Sequence, residues 1–330
     1  MKICHLIITK NFAGSEKYCL DLANYQSQLG NEVSIITLNH KYCFNFNKLA
    51  HQNIKIFFLN SFFYKFYVKK IINKIKPDII HSHLGRASRC ISSLKIPKIT
   101  TLHIKYKEKD HQKNDGIIYL NDEQLLQLNT FKNQKIRINN WIPEIPKIFD
   151  AEVLKIKTNL KINKDYVFGY FGRLNKSKNV KSLINAFIKS DLINCKLLII
   201  GDGEEKNHLK SITKSNNSII FLDHQADIYP YYEVIDCFVL PSIFEPFGIV
   251  IVEAMFFGRD IIATDVEISK FLPKESIVRK DSENELVDAL KRFYSFGRRK
   301  NKYDLSPFDR STQIQKIMEF YNLIINKKNK

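Results

Sequence analysis

No stretch of this 330-residue chain offers the roughly 18 uninterrupted apolar residues that a membrane-spanning helix needs, and even Phe247 to Gly258 is broken by Glu253. Met1 to Thr9 is too short for a signal peptide and carries no small-residue cleavage site, so it is expected to be a first core strand in a protein that stays in the cytoplasm. Cysteine is sparse. Cys4, Cys19, Cys43, Cys90, Cys195 and Cys237 include no close pair, so neither a disulfide framework nor a zinc site is indicated. His81-Ser82-His83 alternates two imidazoles, but no cysteine or carboxylate cluster accompanies them, and no metal is expected. The chain also lacks an RNA-binding aromatic signature, a zinc knuckle and a basic recognition helix, so nucleic acid is not an expected partner.

What is present is the composition of a folded protein, 44% hydrophobic and 26% charged, over a length that suggests two domains with separate cores. The formal net charge of +18 is uneven. Residues 1–150 carry 23 basic against 11 acidic side chains, whereas residues 151–330 carry 29 against 23. A basic half suits nucleic acid, an anionic membrane or an acidic substrate.

Ile3 to Thr9, Glu32 to Leu38, Ile54 to Leu59, Asp78 to His81, Lys98 to Leu102 and Gly116 to Leu120 read as short strands. Helical patterns such as Glu16 to Leu29 and Lys65 to Ile75 lie between them. The scheme repeats with strands at Tyr166 to Phe171, Lys196 to Ile200, Ile219 to Leu222, Asp236 to Leu240 and Asp260 to Ala263, separated by helices at Val180 to Lys189, Glu204 to Thr213 and Gly248 to Phe257. Such alternation implies parallel sheets. Pro143 and Pro146 mark the expected boundary, giving domains 1–150 and 151–330 with a ligand cleft between their carboxyl edges. Ile314, Ile317, Met318, Tyr321 and Ile324 share a helical face, so the tail is expected to pack on the body.

Phe244-Glu245-Pro246-Phe247-Gly248-Ile249 followed by Glu253 sets two carboxylates eight residues apart around a strand-to-helix turn. The backbone N–H groups of Phe247, Gly248 and Ile249 at the helix start are available to a ligand. Gly172-Arg173-Leu174, with Lys178 beyond it, gives a glycine-bearing turn and two separated cations before a helix. That pattern suits a diphosphate, with Arg173 as a fork and Lys178 as a point charge. Gly201-Asp202-Gly203 ends another strand with glycines that permit close backbone approach to a ligand. Each feature taken singly also reads as solvated surface.

In order and spacing, these segments resemble the retaining glycosyltransferases of family 4, which have the GT-B fold of two doubly wound Rossmann-like α/β domains. Ala13-Gly14-Ser15-Glu16, Pro77 to His83 and Thr101-Leu102-His103 resemble that family's glycine loop, its aspartate and histidine strand, and the strand end bearing its active-site histidine. The resemblance implies a nucleotide-diphosphate sugar, a UDP-sugar above all, as co-substrate, with no metal or other cofactor required. Arg173 and Lys178 would neutralise the diphosphate beside Gly172 and Gly201, and Gly14 would let the first loop approach it. Glu253 would accept hydrogen bonds from the ribose hydroxyls, Glu245 from sugar hydroxyls, and His103 would contact the transferred sugar. Attack on the face that the diphosphate leaves would need no protein nucleophile.

The chain departs from the family where Glu267-Ile268-Ser269 replaces a Gly-Gly pair, and where Arg259 and Asp260 replace small or proline residues. These changes leave open a catalytically idle binding subunit, and a GT-B sugar-nucleotide epimerase is a further alternative. Phe57, Phe58, Phe62, Phe63, Tyr64, Phe66 and Tyr67 interleave with Lys65, Lys69, Lys70, Lys74 and Lys76. This stretch suits an anionic inner membrane surface, in keeping with a glycan or glycolipid acceptor, for which lipopolysaccharide or another surface polysaccharide is the expected class.

Overall fold

Short runs of Ile, Leu, Val and Phe that are apolar on both faces become strands covered by helices on both sides, and here they build two wholly parallel sheets. The computed structural model describes every residue except Asn11, Ala13, Lys41, Tyr42, Lys214, Ser215 and Lys330, and every side chain except those of these residues and of Cys43, Phe44 and Asn329. Ala13 of the first glycine loop therefore lies outside the described residues. Cys4, Cys19, Cys90, Cys195 and Cys237 are buried free thiols.

The first unit comprises Met1–Asn140 together with Arg310–Lys330. Its strands are β1 (Lys2–Ile7), β2 (Glu32–Leu38), β3 (Lys55–Leu59), β4 (Ile79–His83), β5 (Lys98–Thr101), β6 (Gly116–Tyr119) and β7 (Gln134–Arg137), in the order β3-β2-β1-β4-β5-β6-β7. The second unit, Trp141–Asp309, holds β8 (Tyr166–Phe171), β9 (Cys195–Ile200), β10 (Ile219–Leu222), β11 (Cys237–Leu240), β12 (Asp260–Thr264) and β13 (Ile277–Val278), in the order β10-β9-β8-β11-β12-β13. Strand order reverses between β1 and β4 in one sheet and between β8 and β11 in the other. At such switch points the outgoing loops diverge and leave a crevice at the carboxyl edge.

The observed division differs from the expected one. The second unit begins at Trp141, and the final helix Arg310–Asn329 belongs to the first unit rather than to a C-terminal domain of 151–330. The reason lies in packing. Ile314, Ile317, Phe320, Tyr321 and Ile324 are buried, and a Cβ on Gly116 would lie 2.7 Å from the Phe320 ring. Arg310 also pairs with Asp21 at 2.7 Å, and Lys328 with Asp115 at 2.7 Å. Ile142 N–H donates to the Phe308 carbonyl at 3.1 Å, so the entering and leaving chains run side by side.

Candidate active site

The second sheet's switch point is flanked by the loops that follow β8 and β11. The β8 loop passes Gly172 and Arg173 and closes in a short turn, Lys176–Lys178, before the helix Val180–Ser190. The β11 loop carries Pro241 to Gly248 into the helix Ile249–Phe256. The Ser177 carbonyl accepts from the N–H groups of Ile243 at 2.9 Å and Phe244 at 3.3 Å, which ties the two loops together. As a result Lys178 Nζ lies 2.5 Å from Glu245 Oε2, with side chains 18% and 11% exposed. A lysine ammonium has three N–H donors, so two remain beyond the bond to Glu245. Arg173 is exposed, and its guanidinium makes no hydrogen bond or ion pair among the described residues.

Tyr170, fully buried on β8, donates to the Arg173 carbonyl at 2.8 Å and a Cβ on Gly172 would meet its hydroxyl at 2.9 Å. Burial first and the Glu245 carboxylate second push its phenol well above the usual range, while Arg173 pulls the other way. At Gly201 and Gly203 packing within the protein already requires glycine. A Cβ at either would strike protein backbone, 1.9 Å from the Gly172 oxygen and 2.1 Å from the Leu174 oxygen. Their bare backbones let the β9 loop lie under the cation loop, with Leu174 N–H donating to the Asp202 carbonyl at 2.9 Å.

Gly248 adopts φ 85°, and a side chain there would meet Ile268 at 2.8 Å. Among the described residues the backbone N–H groups of Phe247, Gly248 and Ile249 donate to no other group. Glu253 lies on the second turn of this helix, buried, and its Oε2 accepts from the Tyr232 hydroxyl at 2.7 Å. Tyr232 in turn stacks on Phe257, with centroids 5.2 Å apart. Tyr232 carries no signal in the sequence, because it reaches Glu253 only through the fold, and Tyr170 reads there simply as a strand residue, its bond to Arg173 depending on the turn after β8.

The two departures from the family pattern have structural explanations. Glu267 forms an ion pair with Lys270 one turn on, so its charge is balanced locally. Arg259 and Asp260 lie at the amino edge of the sheet, away from the cation loop. There Arg259 meets Glu233 and the Ile235 carbonyl, and Asp260 receives Arg299 at 2.7 Å and Asn301 at 2.8 Å.

In the first unit, His103 follows β5 and is partly exposed. Its Nε2 lies 3.1 Å from His83 Nδ1, His83 Nε2 lies 3.1 Å from His5 Nδ1, and His5 Nε2 lies 2.7 Å from Gln26 Oε1. His81 joins the cluster, bonded to Tyr321 at 2.6 Å and Thr101 at 2.7 Å. Ligating nitrogens of His5, His81 and His83 lie within 4.8 Å of one another, yet all six already hold hydrogen bonds, so the group is a polar network rather than a ready ligand set. Burial pushes His5 down to about 4 and His103 to about 3, and burial with neighbouring imidazoles holds His81 and His83 well below the usual range. Gly14 begins the helix Gly14–Gln28, and a Cβ there would meet nothing within 4 Å, so protein packing makes no demand for glycine at that position.

The family described as Glycosyl transferases group 1 matches residues 165–295, and Glycosyltransferase Family 4 matches residues 12–129. An uncharacterized glycosyltransferase of Methanocaldococcus jannaschii is 28% identical over 60% of this chain and 58% of its own length, so the chain spans less than two thirds of that relative. A lipopolysaccharide core biosynthesis glycosyltransferase of Rhizobium meliloti is 24% identical over 81% of this chain and 80% of its own. Among solved structures, Anabaena HepE in complex with UDP and glucose superposes with a TM-score of 0.80 at 16% identity, covering 98% of this chain and 100% of that one.

Proposed function

This chain belongs to the group 1, family 4 glycosyltransferases with the GT-B fold, and on that premise we propose that it moves a sugar from a uridine diphosphate donor to a hydroxyl of a membrane-linked glycan of the lipopolysaccharide class, with retention of configuration. The observation that carries this reading is the Lys178–Glu245 pair at the β8/β11 switch point, with the Arg173 guanidinium, unpaired among the described residues, on the same loop. Arg173 and Lys178 are assigned to the diphosphate, whose negative charge grows as the sugar departs, and stabilising developing charge speeds the chemical step. The free N–H groups of Phe247, Gly248 and Ile249 add to that neutralisation. No metal is assigned. Glu253, steadied by Tyr232, is assigned to the ribose hydroxyls, Glu245 to the sugar, and His103 to the transferred sugar. The acceptor oxygen bonds to the anomeric carbon on the face that the diphosphate leaves, and a leaving phosphate oxygen takes the acceptor's proton, so Glu245 does not act as the covalent nucleophile that retaining hydrolases use.

Purified protein incubated with a panel of nucleotide sugars is expected to hydrolyse one uridine diphosphate sugar slowly. Absence of binding to any nucleotide diphosphate would end the proposal.

The membrane partner is supported by the helix Tyr64–Ile75 and the turn before it. Val68 and Ile72 face the core, and Phe57 and Phe58 on β3 are half-buried. Phe62, Phe63, Phe66 and Tyr67 instead stand exposed, Phe62 at 86%, beside the exposed Lys65, Lys69, Lys70 and Lys74. Among the described residues no helix is long and apolar enough to cross a membrane. Each lysine near an anionic surface contributes about 1 kcal/mol, with the aromatic rings among the head groups. Anionic vesicles are expected to retain the protein and to release it on Phe62→Ser with Phe66→Ser. Tight RNA binding at physiological salt without vesicle binding would defeat this assignment.

A further inference from the structure

The chain of imidazoles from Gln26 to His103 has a direction, and the structure fixes which way it runs. A neutral imidazole has one N–H donor and one bare acceptor nitrogen, so in a row of them each bond dictates the next. The row starts at Gln26, whose amide has an oxygen that only accepts and a nitrogen that only donates. Its nitrogen lies 3.4 Å from Met318 Sδ and 3.3 Å from the Tyr321 hydroxyl. A thioether sulfur has no hydrogen to give, so the amide NH₂ belongs on the Met318 side and Oε1 faces His5. Tyr321, accepting from Gln26, is then the donor to His81 Nδ1 at 2.6 Å, and His81 Nε2–H donates to Thr101.

From that end the protons follow. Gln26 Oε1 accepts from His5 Nε2–H, which leaves His5 Nδ1 bare. His83 Nε2–H donates to it, which leaves His83 Nδ1 bare. His103 Nε2–H donates to that nitrogen, and His103 is left with a bare Nδ1 that has no partner among the described residues. The row holds its shape. His5, His83 and Gln26 are fully buried, the His83 and His103 rings stack with centroids 5.4 Å apart, and Tyr18 packs edge-on against His103 at 4.9 Å. The imidazoles stay neutral, as their depressed proton affinities require.

We infer that Gln26, acting through His5 and His83, holds His103 as the Nε2–H tautomer, so that its bare Nδ1 accepts a hydrogen bond from a hydroxyl of the transferred sugar. The sugar contact rests on the transferase reading above; the tautomer does not. Gln26 is thus a positioning residue, and Met318 and Tyr321 of the last helix set its amide.

The test begins with the unmodified full chain carrying nitrogen-15 histidine near neutral pH. A long-range proton–nitrogen correlation spectrum, with His103 identified by the signal lost in His103→Gln, is expected to show the proton on Nε2. A proton on Nδ1, or an averaged pair of nitrogens, overturns the inference without any variant of Gln26. In Gln26→Leu, whose apolar side chain has similar bulk but no acceptor, His103 is expected to become a tautomer mixture. Turnover should fall about tenfold while the donor KM stays within about twofold. Gln26→Glu keeps an acceptor and is expected to restore the single tautomer and most of the turnover. An unchanged spectrum and unchanged kcat in Gln26→Leu also overturn the inference. The expected tautomer in a protein that hydrolyses no nucleotide sugar supports the relay and defeats the transferase reading instead.

Discussion

Arg173 and Glu253 differ in what surrounds them, and that difference sets what each substitution should do. Arg173 is exposed, and its guanidinium makes no hydrogen bond or ion pair among the described residues, so its proposed partner is the charge that grows on the departing diphosphate. Arg173→Ala is therefore expected to lower kcat about a hundredfold with a small change in KM. Glu253 is buried and braced by Tyr232, and contacts to ribose hydroxyls persist from bound donor to transition state. Glu253→Ala should raise the donor KM and leave kcat within a few-fold. Steady-state kinetics with the pattern reversed would refute this division. Most of these residues were legible in the sequence as chemistry-bearing types at suitable spacings. Tyr232, His5 and Gln26 were not, because their significance is a partner tens or hundreds of positions away.

At the scale of elements, the glycines after β9 have a packing role that residue type alone does not reveal, because the backbone of the β8 loop closes against them. Gly201→Ala would drive Cβ into the Gly172 carbonyl at 1.9 Å. The expected loss is about 3 kcal/mol, and the second unit should melt some 6–12 °C lower by calorimetry. Gly14→Ala, where a Cβ meets nothing within 4 Å, should leave the melting temperature nearly unchanged. Equal melting of the two variants would count against this reading. Strong apolar runs gave β1, β2, β8 and β9 nearly to the residue. β7, with the sequence Gln134-Lys135-Ile136-Arg137, and the two-residue β13 escaped because pairing with β6 and β12 makes them strands, not their own pattern.

Over the whole molecule, the buried imidazoles make stability depend on pH. His5 titrates near 4 in the folded chain and near 6.5 unfolded, so both states are neutral above about 6.5 and stability is flat there. As pH falls below 6.5 the unfolded chain binds protons that the native fold refuses, and stability drops until the folded value near 4. His5 alone then accounts for a loss of up to about 3 kcal/mol. Denaturant midpoints across this window are expected to fall more steeply for the unmodified protein than for His5→Asn, and parallel slopes would contradict it. By itself the sequence determined the two parallel sheets, the cation loop, the paired carboxylates and the aromatic–lysine stretch, since these follow from hydrophobic period and residue type within short windows. Only the tertiary structure decided that the last helix completes the first unit, that Lys178 meets Glu245, and that His5, His83 and His103 share one hydrogen-bonded row. Each of those depends on register and packing between segments that local pattern cannot relate.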